Sequence, residues 1–227
     1  MTAQPGTYTI VEVDPINPDE AMYGVEDMGP WQKQNWPLTL TNSEVITIGI
    51  AAEPTMNLAV AVYDEADNLL IEQNNAPAGQ LERVVNLRVD PDIAYVIQVY
   101  ETNGREGTYF MTIVGDRTEV ILNSRGILTY GQTRQDILAE DHRHFWYFYG
   151  NAGDIIDITT TTDADKLILI SLYDMNADLV VDEDGIELEY IEEEILDLEL
   201  PETGLYLIWL EEFAYEAASY TITVRNN

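Results

Sequence analysis

The chain has 227 residues, 46% of them hydrophobic, which is enough apolar material to build cores and excludes a disordered polymer. Its 42 acidic residues outnumber 10 basic ones, and the net charge of -32 repels nucleic-acid backbones and anionic membrane surfaces. We therefore predict no nucleic-acid partner. No apolar run approaches the roughly 20 residues that cross a bilayer, so we also predict no membrane insertion. The absence of cysteine excludes disulfides and thiol chemistry.

The N-terminal residues 1–13 are predicted to hold a strand, because Gly6-Thr7-Tyr8-Thr9-Ile10 resembles the later segment Gly107-Thr108-Tyr109-Phe110-Met111. This strand either ends a preceding module or adds to the sandwich that follows. The first six residues lack the charged start and apolar core of a signal peptide. If the protein is exported, we expect this sequence to begin after the signal.

Two copies of one module follow, at an offset of 110 residues that grows to 111. The first offset places Trp36 on Trp146, Ile46 on Ile156, Tyr63 on Tyr173 and Asp64 on Asp174; the second places Tyr95 on Tyr206 and Tyr109 on Tyr220. We assign the first copy to residues 14–115 and the second to residues 116–227.

Each copy reads as strands joined by turns. Leu58–Tyr63 and Ile168–Tyr173 alternate with period two, and each run is followed by a turn-forming stretch, Asp64–Asn68 or Asp174–Asp178. Glu187–Glu199 has helical propensity, but its second half matches an alternating run in copy one and is predicted as a strand. The predicted fold is therefore all-β, with two tandem β-sandwiches of jelly-roll-like or Greek-key type.

The second copy carries a series of short motifs in a fixed order: Tyr130-Gly131-Gln132-Thr133, Ala152-Gly153-Asp154, Leu172-Tyr173-Asp174, Leu200-Pro201-Glu202-Thr203-Gly204-Leu205-Tyr206 and Ser219-Tyr220-Thr221. This order resembles the bacterial pre-peptidase C-terminal (PPC) domain over residues 120–225. The first copy is less similar, with Val89-Asp90-Pro91-Asp92 in place of a Leu-Pro-x-x-Gly motif. The resemblance implies a non-catalytic accessory role outside the cell, and some members bind calcium through loop acids.

Asp182, Glu183 and Asp184, followed by Gly185, form the best metal candidate in the sequence. Calcium takes several hard oxygen ligands on a flexible turn, and a glycine allows such a turn. The alternative is a solvated acidic turn, and a melting curve in calcium against sodium chloride distinguishes the two. His142 and His144 sit two residues apart and could share a metal, but no third ligand has a fitting spacing, which favours histidines without a metal.

The aromatic residues divide by strand parity. Tyr206, Ile208 and Leu210 match apolar residues of copy one and are predicted to face the core, as are Trp146 and Phe148. The opposite face then carries the interaction candidates Leu207, Trp209, Phe145, Tyr147 and Tyr149. These side chains either form an aromatic platform for a sugar or protein, or pack against the sister domain or another strand layer.

We therefore expect a non-catalytic accessory or interaction module of a secreted or cell-surface protein, with a protein or polysaccharide partner. The two alternatives are a carbohydrate-binding protein that uses the outer aromatic residues and a calcium-stiffened adhesive or spacer module. A hydrolase is not expected, since the chain has two histidines, no cysteine and no Gly-x-Ser-x-Gly motif.

Overall fold

A computed structural model describes residues 8–20, 22–118, 120–163, 165–182 and 185–227. The chain divides into two compact units, Met1–Thr118 and Glu119–Asn227. Both are built from strands, with one short 3-10 helix at Pro18–Glu20 in the described part of the chain. The prediction of an all-β fold with two β-sandwiches is confirmed.

The described residues of the first unit form nine strands. They are β1 (Thr9–Glu12), β2 (Met22–Met28), β3 (Gln32–Leu38), β4 (Val45–Ala52), β5 (Leu58–Asp64), β6 (Leu69–Gln73), β7 (Glu82–Arg88), β8 (Tyr95–Glu101) and β9 (Gly107–Gly115). One sheet has the order β1-β3-β8-β5-β6 and the other the order β2-β9-β4-β7. Side chains from both sheets make one buried apolar cluster, so the two sheets are the layers of a sandwich.

The second unit repeats this plan within its described residues. Its strands are β10 (Ile121–Leu128), β11 (Thr133–Leu138), β12 (His142–Gly150), β13 (Ile155–Thr162), β14 (Ile168–Tyr173), β15 (Ile191–Glu192), β16 (Glu194–Glu199), β17 (Gly204–Glu212) and β18 (Ala218–Asn226). The sheet orders are β10-β12-β17-β14-β15 and β11-β18-β13-β16. The two units therefore share one topology around separate cores.

The N-terminal strand belongs to the first unit. Thr9–Glu12 pairs in parallel with β3, with Thr9 opposite Gln32, just as β10 pairs in parallel with β12. In the described part of this segment, Thr9–Glu12 is an end strand of the five-stranded sheet of the first unit. Its place is that of the opening strand β10, although its sequence is closer to a closing strand.

Strand parity correctly assigns the core. Trp146 and Phe148 on β12 lie in the buried cluster together with Tyr206, Ile208 and Leu210 on the neighbouring strand β17. The acidic stretch with helical propensity contains β15 and β16, which confirms the strand predicted for its second half. Ile195 and Leu198 of β16 are buried, because burying them against the core outweighs local helix propensity.

The two predicted turns after the alternating strands are also confirmed. The Asp64 carboxylate accepts hydrogen bonds from the amides of Ala66 and Asn68, and Asp174 binds the amides of Asn176 and Asp178 in the same way. An aspartate in this position satisfies turn amides that the strands leave unpaired. The described part of the chain contains no helix with the length and hydropathy needed to traverse a lipid bilayer.

Candidate binding site

The five interaction candidates lie on two paired strands of the second unit. Phe145 is opposite Trp209 and Tyr147 is opposite Leu207, and all of these side chains leave the sheet on the face away from the core cluster. Strand parity therefore predicts the correct face.

Of the two sequence-based interpretations of this face, packed side chains or an accessible platform, burial favours packing for three of the five candidates. Phe145, Tyr147 and Leu207 are 0% exposed, whereas Tyr149 and Trp209 are half-buried. Parity gives the direction in which a side chain leaves a sheet but carries no information on what covers it. The Phe145 ring lies 4.9 Å from that of Trp209, centroid to centroid, so Trp209 packs against a fully buried aromatic residue.

Arg143 is the charged centre of this face. Its Nε donates to the Glu211 carboxylate at 2.5 Å, and the two side chains are only 13% and 6% exposed. The guanidinium also lies 5.7 Å from the ring centroid of Trp209 and 5.4 Å from that of Tyr215. A guanidinium that is ion-paired on its edge and stacked on two rings fixes the positions of those rings.

Two exposed tyrosines border the same cation. Tyr190 is 52% exposed and Tyr215 is 49% exposed, and both have left-handed backbone conformations, with φ of 54° and 59°. Burial raises the pKa of the Tyr190 hydroxyl, and Glu211 and Glu189 add to that rise. A left-handed conformation costs a non-glycine residue about 1–3 kcal/mol, and such costs concentrate at functional positions.

We call Tyr173, Tyr190, Trp209 and Tyr215, grouped around Arg143, the aromatic patch. Tyr173 lies 6.2 Å from Trp209, centroid to centroid, and the Tyr190 amide donates to Ser171 Oγ on the strand that carries Tyr173. Flat rings held by a buried ion pair offer a preformed surface for stacking, with hydroxyl groups at its margin.

Four members of this group were not predicted from the sequence as interaction residues: Arg143, Tyr173, Tyr190 and Tyr215. A signal for Arg143 was present, because Lys33 occupies the matching position 110 residues earlier. In the first unit the Lys33 ammonium lies 5.0 Å from the Tyr8 ring and 4.4 Å from the Tyr100 ring. A cation packed on aromatic rings is therefore common to both units. Tyr190 and Tyr215 lie in connecting segments, where periodicity gives no information.

The metal candidate is described in part. Asp182 Oδ1 accepts the Ile186 amide at 2.8 Å, which makes this carboxylate a turn-closing group like Asp64 and Asp174. Glu183 and Asp184 lie outside the described residues. Within the described ranges, no three or more His, Cys, Asp or Glu side chains come together as a metal site. Calcium binding at this turn stays a prediction.

The histidine pair is divided by burial. His144 is buried, and its Nδ1 lies 2.7 Å from the Tyr220 hydroxyl, while His142 Nδ1 lies 2.8 Å from the carbonyl of Glu140. Burial lowers the pKa of His144 to about 4, with the positive charge of Arg125 adding to the effect and Asp136 opposing it. His144 is therefore a neutral core residue near neutral pH.

Comparison with known proteins gives no relative by sequence: no family model and no curated protein matches the chain. Among solved structures, YhaK from Escherichia coli is 12% identical with a TM-score of 0.36, over 91% of this chain and 86% of its own. The CUB1-EGF-CUB2 domain of human MASP-1/3 is 9% identical with a TM-score of 0.23, over 89% and 99%. The resemblance to PPC domains stays a prediction.

Proposed function

We propose that the chain is a non-catalytic binding module of a secreted or cell-surface protein, and that its aromatic patch holds a neutral polysaccharide. The observation that carries the proposal is the pair of strained, exposed tyrosines, Tyr190 and Tyr215, beside the ion-paired Arg143. A backbone strain at two bulky residues on one surface is explained if their rings are needed there.

The chemistry of the patch fits a sugar chain. The apolar faces of pyranose rings stack on aromatic side chains, and the surrounding tyrosine hydroxyls donate and accept hydrogen bonds to sugar hydroxyls. The net charge of -32 opposes an anionic polysaccharide but leaves a neutral one unaffected. We therefore assign the ligand to the neutral class.

An extracellular setting is supported by one feature of the sequence. The second copy resembles PPC domains, which accompany secreted hydrolases. Neither histidine supports a hydrolytic role, because His144 is bonded to Tyr220 inside the core and His142 faces a backbone carbonyl.

The test is affinity electrophoresis in gels that contain soluble β-glucan, arabinoxylan or glycogen, with alginate as the anionic comparison. We expect at least one neutral polymer, and not alginate, to retard the wild-type chain. The double substitution Tyr190→Gly/Tyr215→Gly removes both rings and relieves both left-handed backbones, so we expect affinity to fall about tenfold or more. The free energy of unfolding should stay within about 1 kcal/mol of the wild-type value.

The matched control is Asp67→Gly, which relieves a left-handed residue (φ 60°) in an exposed turn of the first unit without removing a ring. This variant should bind as wild type does. Retardation that survives the double substitution, or retardation by none of the three neutral polymers, would overturn the proposal.

A further inference from the structure

A second surface of the second unit is independent of the aromatic patch. A cleft of about 1110 Å³ lies along β16 and is also lined by Val181, Asp182, Ile186 and Leu188. Its lining includes the core residues Leu188, Ile195 and Leu198, so the hydrophobic core is reached directly from its floor. We call this feature the acidic cleft.

The cleft walls expose apolar side chains together. Ile155, Val181, Ile186 and Leu196 all line it, and each keeps between 43% and 56% of its surface accessible. Single exposed apolar residues are ordinary on a soluble protein, but several large branched ones around one concavity are typical of a docking site.

The rim of the cleft is negatively charged. Glu194, Asp197 and Glu199 line it on β16, and no basic residue occurs between Lys166 and Arg225 in the sequence. Sixteen Asp and Glu fall in that stretch, so the local field attracts cations strongly. An apolar concavity with an acidic rim matches a ligand that combines apolar side chains with positive charge.

The fold does not require these charges. At the matching positions of the first unit, β7 has Arg83 where β16 has Glu194, and Arg88 where it has Glu199. Val85, which is 57% exposed, matches Leu196, which is 51% exposed. The same end strand is therefore basic in one unit and acidic in the other, which shows that the acidic version is a property of this surface alone.

The backbone adds a means of holding an extended chain. β16 is the last strand of its four-stranded sheet, and the end strand of a sheet can accept a further strand. Asp197 has a left-handed conformation (φ 52°), and the pairing with β13 shifts between Ile156 and Ile158. β16 pairs with β13 on both sides of this bulge, at Glu194 and Ile195 and again at Leu198 and Glu199, so a docked strand meets an edge that is interrupted at its middle.

We propose that the acidic cleft docks an extended peptide segment in which Lys or Arg alternates with branched apolar residues. One set of side chains enters the apolar cleft and the other meets the acidic rim, since the two faces of an extended strand alternate. A second copy of this chain is the less favourable occupant, because two molecules of net charge -32 repel each other.

The test measures binding of a fluorescently labelled nine-residue peptide that alternates lysine and valine, by anisotropy at physiological ionic strength. Two further peptides separate the apolar from the electrostatic contribution to binding. One has serine in place of valine, and the other has glutamate in place of lysine. We expect the lysine–valine peptide to bind about tenfold more tightly than the lysine–serine peptide, and the glutamate peptide not to bind.

Matched variants locate the site. Leu196→Ser, and separately Glu194→Gln/Asp197→Asn/Glu199→Gln, should each weaken binding about tenfold. Val85→Ser changes the equivalent residue of the first unit, and Glu65→Gln/Asp67→Asn/Asp92→Asn removes three exposed acids elsewhere. Both of these controls should bind as wild type does.

Several outcomes would overturn the proposal. If the lysine–valine and lysine–serine peptides bind equally, the peptide is held only by general attraction to an acidic protein. The same conclusion follows if the cleft substitutions and the control substitutions of acidic residues weaken peptide binding equally. No binding of the lysine–valine peptide removes the proposed ligand class. If the wild-type chain self-associates in a sedimentation experiment and Leu196→Ser abolishes this association, the cleft binds a second copy of the chain instead. None of these results depends on polysaccharide binding at the aromatic patch.

Discussion

The two units hold the same buried hydrogen-bonded triad but complete it with different residues. In the first unit the Trp36 indole donates to the Tyr109 hydroxyl at 3.0 Å, and that hydroxyl donates to the Gln34 side-chain oxygen. The Gln34 amide nitrogen donates to the carbonyl of Asp27 at 2.7 Å. Every polar atom of this triad has a partner that does not titrate with acid.

In the second unit Trp146 donates to the Tyr220 hydroxyl at 2.8 Å, and the third member is His144, which matches Gln34 in the repeat. The Tyr220 hydroxyl can donate to His144 Nδ1 only while that nitrogen is unprotonated. The duplication has thus preserved the geometry while changing the response to acid, and the two copies differ more in charge than in shape.

The largest expected difference between the units is in the unfolding free energy that is lost when the cation on the outer face of each five-stranded sheet is removed. Arg143→Ala leaves the buried Glu211 carboxylate without its ion-pair partner, which should cost about 3–5 kcal/mol of unfolding free energy. Lys33→Ala removes a half-buried ammonium with one hydrogen bond, to Gln98, and should cost about 1 kcal/mol or less. Chemical denaturation of both variants checks this, and equal losses would contradict the comparison.

The next effect is a loss of stability in acid that His144 causes. Its pKa of about 4 in the folded protein lies below the value of about 6.5 expected when unfolded, so the unfolded chain takes up the proton first. The stabilising contribution is complete above about pH 6.5 and is lost as the pH falls towards about 4, a change of about 3 kcal/mol. Denaturation at a series of pH values over this range measures it.

The control for this prediction comes from the first unit. His144→Gln installs the residue that the first triad uses, so the amide oxygen can accept from Tyr220 at every pH. We expect the variant to lose less stability than wild type between pH 6.5 and about 4, by about 3 kcal/mol. Identical pH profiles for the two proteins would show that His144 does not titrate with folding.

The smallest expected losses of stability come from removing the turn aspartates, and these losses should be alike in both units. Asp64→Ala and Asp174→Ala each remove a carboxylate that accepts hydrogen bonds from two turn amides, and we expect each to lower the melting temperature slightly and by a similar amount. Thermal denaturation measures the two losses. A large difference between them would mean that the units have diverged in their turns as well as in their charges.

Much of the fold could be predicted from the sequence because it depends on local patterns. The period-two runs place Trp146 and Tyr206 in the core, and the aspartates Asp64 and Asp174 mark the turns. The acidic stretch that contains β16 has a misleading helical propensity, and its alignment with the alternating run of the first copy predicted the strand correctly.

The aromatic patch could be predicted only in part, because it depends on contacts between distant segments. Trp209 was assigned to the correct face, but the ion pair that fixes its surroundings joins Arg143 to a residue 68 positions later. Tyr190 and Tyr215 lie in connecting segments, and the hydrophobic periodicity of a sequence does not predict the path of such segments. The burial of Phe145 and Tyr147 likewise depends on what covers a face, which strand parity does not determine.

The measurement that tests the central claim most directly is hydrogen exchange of the full chain with and without the neutral polysaccharide that retards it. We predict added protection in residues 186–192 and 207–217, which carry Tyr190, Trp209 and Tyr215, and no change in the matching residues 96–106 of the first unit. Protection confined to the first unit, or none at a saturating polymer concentration, would contradict the assignment of binding to the aromatic patch.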